Sequence, residues 1–546
     1  MKRFINLRLT ILSVIALLAV SCEKDFLEVQ SQSQLTLDNY FTTYDECRSA
    51  TAPLYNEAWY EYSNSFYFMF GDGRANNLFS PYGSGQPFIQ LTETIETQSL
   101  NEAWQSLYIV VTQADYVVNN IDSALEHGVS QEQVNACKAE ARFMRGLAYW
   151  YLACTWGNVP IVEDPTVTVE NYLINTNPYE DVLQYAIYDL EYAAENLPLN
   201  DIKGRVTKYS ALSALARVYI TAACYARGGK FSSRYTTTAA EYYEKAKNAA
   251  KEVIDDGPYS LMPDYEELFR VQNNNNSESI FALQFVPGSS QYGTGNRNQD
   301  WLAYSTELTD GLNAYGGSLF ASGELVKLMH DRGETSRKKA TFFYNGAEYD
   351  YLGAHTEEGK WIAQDIRYPN IKKHVVGSRA DTDGLAINGN SGLAQPMIRL
   401  AEVYLLYVES IIGLNASTAD VEALTYFNMV RERADMPNVS TITLDDLWDE
   451  RRVELAIEGQ FWYDMVRRAY WDEEWVLNFM SEQHRSEYYY YYTGSAPNGF
   501  AWRNITADID MNPPSPERLL LPYPATELVL NPLLREDPAP FDFSGE

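Results

Sequence analysis

The sequence predicts a mainly α-helical protein, built from paired helices and interrupted by one long region that lacks helical periodicity. Apolar residues recur with a helical period in long segments on both sides of that region, and the links between those segments are short. Residues 257–395 instead contain an asparagine run, many glycines and short β-prone pieces such as 279–286. Paired helices with short links are typical of tetratricopeptide-like hairpins, although no 34-residue consensus repeats cleanly.

The N-terminus has the features of a lipoprotein leader. A basic start precedes an apolar run at 11–20, which is too short to span a bilayer and suits a signal peptide. The next residues, AVSC, resemble a lipoprotein cleavage site, after which Cys22 would carry diacylglycerol on its thiol. The prediction is a signal peptide at 1–21 and a lipidated polar tether at 22–37, held at a membrane by acyl chains. The alternative is an ordinary secretory signal with an incidental cysteine.

Composition limits the partners of this chain. Its net charge of −32 repels phosphate backbones, so nucleic acid is excluded as a partner. With 46% hydrophobic residues, the chain can bury a large core. The later cysteines have no CxxC spacing, and we expect them to be free, buried residues. They are Cys47, Cys137, Cys154 and Cys224.

Helical spacing places the main helices in chain order. A first helix is expected over 38–59, with an irregularity at Pro53, before an aromatic and glycine-rich loop at 63–93. The remaining predicted helices are 100–127, 131–155, 179–197, 207–226, 239–255, 396–412, 421–434 and 444–468. Residues 476–516 form a tyrosine-rich insertion.

The predicted helix at 444–468 is the central strut of this scheme. Thr443 and Asp446 form a capping-box pattern at its start. An apolar stripe runs along it through Gly459, where a missing side chain would let another backbone approach. A second face carries an acidic row, Glu450, Glu454 and Glu458, which is unfavourable unless cations dock there. Candidate cations are Arg399, Arg431 and Arg433, and this favours a structural ion network over a catalytic acid cluster.

The same stretch resembles the C-terminal signature of SusD/RagB-type nutrient-binding lipoproteins. The matching residues are Glu450-Arg451-Arg452, Glu454, Glu458-Gly459, Tyr463-Asp464 and Arg467. The passage AEARFMRGLAYWYLACTWGNVPIV and the LPYP ending at 521–524 are also similar to that family. Phe461 and Asn158 depart from it, standing where Arg and Asp are commoner. The resemblance implies about four helical pairs in a single domain at 38–546, with a scaffold at 38–256 and 396–475.

No pattern of residues indicates catalysis, a cofactor or a metal. The five histidines are scattered, and Asp381-Thr382-Asp383-Gly384 lacks the remaining ligands of a calcium loop. Phosphate-binding, nucleophile-elbow and Cys/His patterns do not occur. A glycosidase needs two carboxylates at a fixed separation, for which the sequence offers no positive evidence. The prediction is therefore a protein that is not an enzyme and binds no cofactor.

Aromatic residues in loops indicate a carbohydrate site. Flat rings pack on the apolar faces of sugars, and nearby Asp, Asn and Arg groups take the hydroxyls. Such rings occur in the predicted loop regions at 63–93, 257–395 and 476–516, including Phe66, Tyr67 and Phe68. The resemblance places the ligand on such loops. The predicted contacts are Asp72, Arg74, Asn76, Asn77, Tyr82, Trp301, Tyr304 and Tyr315.

The resemblance implies a non-catalytic lipoprotein of the outer membrane, facing outward, that captures oligosaccharide. It would deliver the ligand to a SusC-like TonB-dependent transporter. One alternative is capture of peptides, as in RagB-like proteins, which would call for exposed backbone partners and side-chain pockets. A lipid-anchored glycoside hydrolase and a purely structural scaffold remain further alternatives.

Overall fold

The computed structural model describes most of the chain after residue 39. The described residues are 40–80, 85–166, 172–288, 294–302, 306–309, 319–344, 346–353, 356–357, 359–362, 369–485, 488–492, 500–504 and 512–545. The predicted leader, Cys22 and the polar tether lie outside these ranges. Among the described helices, none is both long and apolar enough to cross a bilayer.

Long helices dominate the structure, which confirms the predicted fold class. Those of eight residues or more are α1 (Tyr44–Thr51), α2 (Gln98–Asn120), α3 (Gln131–Trp156), α4 (Tyr179–Asn196), α5 (Lys208–Arg227), α6 (Ala239–Asp256), α7 (Gly323–Asp331), α8 (Leu400–Ile412), α9 (Val421–Arg433), α10 (Leu444–Glu454) and α11 (Phe461–Glu482). Shorter α-helices are Gln86–Gln90, Asn298–Leu302, Thr306–Thr309, Ser336–Thr341 and Ala525–Leu530.

The scaffold is a run of helical hairpins whose neighbours pack side by side. α2 packs on α3, α4 on α5, and α6 on α8, while α9 precedes α10 along the chain. Successive pairs also contact one another through α3–α4 and α5–α6. Gly146 of α3 allows the close approach to α4, because a Cβ atom there would lie 3.0 Å from the Ala186 carbonyl oxygen. Capping boxes start several of these helices, including Ser130 with Gln133 and Thr443 with Asp446.

Strands in the described residues are short and pair antiparallel in two-stranded sheets. They are β1 (Leu78–Phe79), β2 (Ser279–Leu283), β3 (Phe320–Ala321), β4 (Thr356–Glu357), β5 (Lys360–Trp361), β6 (Ala386–Ile387), β7 (Asn390–Ser391), β8 (Gln395–Arg399), β9 (Ser417–Thr418), β10 (Ile442–Thr443), β11 (Tyr488–Tyr492) and β12 (Phe500–Asn504). The pairs are β1–β3, β2–β8, β4–β5, β6–β7, β9–β10 and β11–β12. Pairing of β1 with β3 joins the N-terminal loop region to the middle of the chain.

Some predicted helices were wrong in extent. The helix predicted over 38–59 is an α-helix at Tyr44–Thr51, followed by 3-10 turns at Ala52–Tyr55 and Glu57–Trp59. The helix predicted over 100–127 ends at Asn120 and is followed by a 3-10 helix at Ile121–His127. Residues 395–399 form strand β8, paired with β2, so the helix predicted from 396 begins only at Leu400. The helix predicted at 444–468 is two helices, because residues between α10 and α11 leave the right-handed helical conformation. Ile457 and Gly459 adopt φ values of 59° and 68°, which no α-helix accommodates.

Most of the core is one large apolar cluster that runs through the helical hairpins, and two smaller clusters lie around Phe269 and around Val376. Cys47, Cys137, Cys154 and Cys224 are free and buried within the large cluster, as predicted. Burial raises the pKa of the Cys137 and Cys154 thiols to about 12, so these cysteines serve as small apolar residues.

Candidate functional site

The acidic row of α10 and the following turn is the centre of a buried ion network. Arg399 contacts Glu454 at 2.6 Å and Glu458 at 2.8 Å, while Arg431 contacts Glu450 at 2.7 Å. Arg433 also pairs with Glu454. These cations hold the pKa of the carboxyl groups below its ordinary value, against the opposing effect of burial.

Further cations complete this network. Arg337 lies 2.6 Å from Glu450, and Lys373 lies 2.8 Å from Glu458. Carboxylates held ionised and paired on all sides cannot act as proton donors or as open ligand groups. The prediction of a structural ion network is therefore confirmed.

Asp72 and Asn77 lie inside the protein, beside that network. Both side chains are 0% exposed. The Asp72 carboxylate accepts hydrogen bonds from the backbone N–H groups of Ile457, at 3.0 Å, and Gly459, at 2.6 Å. The Asn77 amide donates to Asp72 at 3.0 Å, and Arg452 donates to the Asn77 oxygen at 2.9 Å. These groups bind the reversed turn between α10 and α11.

Arg74 and Asn76 are buried in the same way. Arg74 pairs with Glu93 at 2.7 Å and lies 4.6 Å from the ring centre of Trp462. Asn76 donates to Glu324 at 2.9 Å. A surface ligand cannot reach Asp72, Arg74, Asn76 or Asn77, so we correct the prediction that these four contact ligand. The local sequence gave no sign that Asp72 and Asn76 bind partners 248 to 387 positions away along the chain.

Phe66, Tyr67 and Phe68 are also interior, which corrects their prediction as sugar platforms. Phe66, Tyr67 and Phe68 are buried, because wide helical turns at Tyr62–Phe66 and Met69–Gly73 direct them into the core. The Tyr67 hydroxyl donates to the Pro396 carbonyl at 2.8 Å. Tyr82, Tyr304 and Tyr315 lie outside the described residues, as do the side chains of β11 and β12.

Among the predicted ligand contacts that the structure describes, Trp301 is the one whose side chain is partly exposed at the surface. It lies in the short helix Asn298–Leu302, and its indole N–H donates to the Asn64 side-chain oxygen at 3.3 Å. Its carbonyl accepts from Leu319 N–H at 3.2 Å, next to the β1–β3 pair. Two segments that are far apart in sequence therefore hold this ring.

A shallow cleft of about 50 Å³ lies beside Trp301. Its floor is apolar and includes Phe66, Phe68 and Phe88, whereas Asn64, Ser65, Ser99 and the exposed Glu102 supply polar groups. A partly exposed indole next to a few hydrogen-bonding groups is suited to a sugar ring. We name this the Trp301 cleft.

The neighbouring charges are fixed by pairing. Asp300 is buried and lies 3.2 Å from Arg297. Burial raises the pKa of Asp300, and the adjacent guanidinium opposes that shift. A cofactor or metal has no evident ligand set here. Among the described residues, no group of three or more His, Cys, Asp or Glu side chains is placed to hold a metal ion.

Comparison with known proteins supplies the identification. Residues 233–539 match the family model described as "SusD family", and residues 18–220 match the one described as "Starch-binding associating with outer membrane". The first match covers more than half of the chain. This protein belongs to the SusD family.

Individual SusD-like relatives match over the full length. The chain is 34% identical to a SusD-like protein of Bacteroides ovatus, with 100% of both chains covered. It is 25% identical to SusD-like protein P25 of Formosa agariphila, covering 95% of this chain and 96% of the other. A crystal structure with xylogluco-oligosaccharide is 35% identical with a TM-score of 0.82, covering 91% of this chain and 99% of that one.

Sequence reasoning missed the other walls of the Trp301 cleft. Asn64, Phe88, Ser99 and Glu102 were not singled out, and helices α3 to α6 lie between them and Trp301 along the chain. Helical spacing in α2 would have placed Ser99 and Glu102 on one face, since they are three residues apart. Nothing local indicated which partner that face would meet in the SusD fold.

Proposed function

We propose that this SusD-family protein is a cell-surface lipoprotein that captures oligosaccharide and does not cleave it. The observation that carries the proposal is the Trp301 cleft, where an aromatic ring reaches the surface between polar side chains. A sugar ring would pack against the indole, while Asn64, Ser65 and Glu102 exchange hydrogen bonds with its hydroxyls.

The indole is positioned before a ligand arrives. Its N–H bond to Asn64 and its packing against the apolar core restrict the rotamer, so little entropy is lost on binding. The cleft is shallow, which suits one face of a saccharide chain more than an enclosed end group. Binding would therefore extend along the surface beyond the cleft.

The relative solved with xylogluco-oligosaccharide supports a glycan over a peptide as ligand. A neutral saccharide also suits the charge of the chain, because −32 disfavours polyanions. The proposed ligand is a neutral oligosaccharide. Its sugar composition and linkage are left to experiment.

The remaining parts of the proposal concern location and partner. The N-terminal leader supports anchoring through an acylated Cys22, and the family description supports association with the outer membrane. The resemblance supports delivery of the captured glycan to a SusC-like TonB-dependent transporter. The structural role of the acidic row supports a non-catalytic protein.

Calorimetric titration tests the proposal. Wild-type protein is titrated with xylogluco-oligosaccharide, cellotetraose and laminaritetraose, and reducing-sugar release is measured in parallel. The Trp301→Ala variant should weaken binding at least about 10-fold, since an aromatic platform contributes on the order of 1.4 kcal/mol. The matched control is Trp471→Ala, a partly exposed tryptophan on α11 that packs on Arg227. Absence of binding to the whole panel contradicts the proposal, and so does hydrolysis.

A further inference from the structure

A second cleft of about 320 Å³ lies between α2 and the C-terminal segment around the helix Ala525–Leu530. Its walls are mostly aromatic and aliphatic, among them Trp104, Tyr108 and Tyr172. Tyr172 is 62% exposed and Leu530 is 60% exposed, which is a large apolar exposure for residues that share one cleft. Nothing in the established family assignment accounts for this exposure.

Asn531 supplies an unused hydrogen-bond acceptor in this cleft. The side chain is only 7% exposed, and its amide nitrogen donates to the Ile174 carbonyl at 2.7 Å. That bond fixes the amide orientation, because the flipped amide would set two oxygens against each other. The Oδ1 atom is then buried without a hydrogen-bond partner among the residues that the structure describes. A buried acceptor of this kind is costly unless something donates to it.

Glu527 provides a second acceptor on the same wall. It lies one helical turn before Asn531, and among the described residues its carboxylate accepts one hydrogen bond, a long one of 3.5 Å from the Gln105 amide. Burial raises the pKa of the Glu527 carboxyl. None of the described residues that line the cleft is basic. A ligand there must donate hydrogen bonds and must not be an anion.

The floor of this cleft is rigid and continuous with that of the Trp301 cleft. Ring contacts run from Phe88 through Phe70 and Trp156 to Trp104, with centroid distances of 5.2, 6.0 and 5.2 Å. Both clefts also use α2. The Trp301 cleft takes Ser99 and Glu102, whereas the second takes residues within 104–112, roughly 11 Å further along the helix axis at 1.5 Å per residue.

We propose that the cleft between Tyr172, Asn531 and Glu527 is a second saccharide subsite, specific for a neutral sugar unit. Sugar hydroxyls would donate to the Glu527 carboxyl group and, once the groups that cover it move aside, to the buried Asn531 Oδ1, and the C–H face of the ring would pack on Tyr172. Uronic acid and sulfated units are rejected, because the cleft offers acceptors and no cation. This inference rests on the proposed glycan-binding function and adds a place and a charge preference to it.

The test uses four proteins: wild type, Trp301→Ala, Tyr172→Ala and the double variant. Tyr172 is exposed, so its removal leaves the fold intact, and Tyr116→Ala on α2 is the matched control, being an exposed tyrosine outside the cleft. Calorimetry and saturation-transfer NMR are run with xylogluco-oligosaccharide, cellotetraose, laminaritetraose and tetragalacturonate. Circular dichroism confirms that each variant is folded.

The expected result is residual binding of a neutral saccharide in Trp301→Ala that falls about 10-fold further in the double variant. Tetragalacturonate should not bind in either background. The inference is overturned if Trp301→Ala alone abolishes all binding, a result that leaves the proposed function standing. It is also overturned if Tyr172→Ala has no effect or if tetragalacturonate binds equally well.

Two further outcomes separate the proposals. Binding that survives Trp301→Ala at full strength and is lost in Tyr172→Ala supports the second subsite and contradicts the role of the Trp301 cleft. Absence of saccharide binding to wild-type protein overturns both proposals together.

Discussion

The Asp72 carboxylate accepts a hydrogen bond of 2.6 Å from the backbone N–H of Gly459, across 387 positions of sequence. A second bond, from Ile457 N–H, shares the same carboxylate. These two bonds hold the turn between α10 and α11 against the N-terminal segment that contains Gly71. The acidic row of that turn is thereby aligned with the arginines that pair with it.

We predict that Gly459→Ala is strongly destabilising. Gly459 has a φ of 68°, and a Cβ atom there would lie 2.8 Å from the Tyr67 ring. Strain and overpacking together should cost about 3–5 kcal/mol of unfolding free energy. Urea unfolding measures the loss.

The matched control for that variant is Gly333→Ala. Gly333 has a similar φ of 76°, but no atom lies within 4 Å of its Cβ position. Its substitution should cost only about 1 kcal/mol, the strain of the left-handed conformation. Equal losses in the two variants would show that close packing at Gly459 contributes nothing.

We predict that Arg399→Leu costs about 3–5 kcal/mol, because it removes from three buried carboxylates a cation that they share. Arg399 contacts Glu278, Glu454 and Glu458 within 2.8 Å, and all of these groups are buried. The control is Lys247→Ala, which removes an exposed pair with Glu244 and should cost less than about 1 kcal/mol. Thermal unfolding compares the two. Similar shifts in both variants would argue that the network is not a stability determinant.

We predict that His374 makes the protein less stable in mild acid. Burial lowers the pKa of His374 to about 4, with a smaller lowering from Lys373 and Lys372 and an opposing effect of Glu458. Because the pKa of histidine is about 6.5 in the unfolded chain, the folded state binds fewer protons than the unfolded state between pH 4 and pH 6.5. The contribution of His374 to the unfolding free energy is fully present above pH 6.5, and about 3 kcal/mol of it is lost as the pH drops to 4.

The Asp72 carboxyl group changes the unfolding free energy in the opposite direction over part of this pH range. Burial raises the pKa of Asp72 to about 6, so the folded state takes up a proton there and gains stability as the pH falls. The His374 effect is therefore read as the difference between wild type and His374→Asn, since asparagine tolerates the φ of 68° at this position. The wild type should lose more stability than the variant between pH 6.5 and 4. Parallel pH profiles would contradict this prediction.

We predict that Cys22→Ala releases the protein from the membrane fraction. In the proposed lipoprotein the acyl chains would be attached through this thiol, so the variant would lose its lipid anchor. Membrane fractionation and labelling with a radioactive fatty acid measure the effect. Cys47→Ala is the control, because that cysteine is buried in the core and should leave membrane association unchanged. Retention of Cys22→Ala in the membrane would exclude the lipid anchor.

Helix positions in the scaffold were predictable because they depend on local spacing and capping. Helix α3 ends one residue later than predicted, and α5 begins and ends one residue later than predicted. Thr443 caps α10 as expected. The partners Arg399, Arg431 and Arg433 were also predicted correctly for the acidic row. Three like charges in one row are unfavourable alone, so their neighbours had to be cations.

By itself, the sequence determined the helical class, the acidic row and its need for cations, and the free cysteines, because each follows from residue type and short-range spacing. Tertiary structure alone decided that Asp72 and Arg74 are buried and that the helix predicted at 444–468 is interrupted at Ile457 and Gly459. It also decided that Trp301 donates a hydrogen bond to Asn64 and shares a cleft with α2. Those outcomes depend on contacts between segments hundreds of residues apart. Loop polarity and aromatic content are the same whether a side chain faces a ligand or the far end of its own chain.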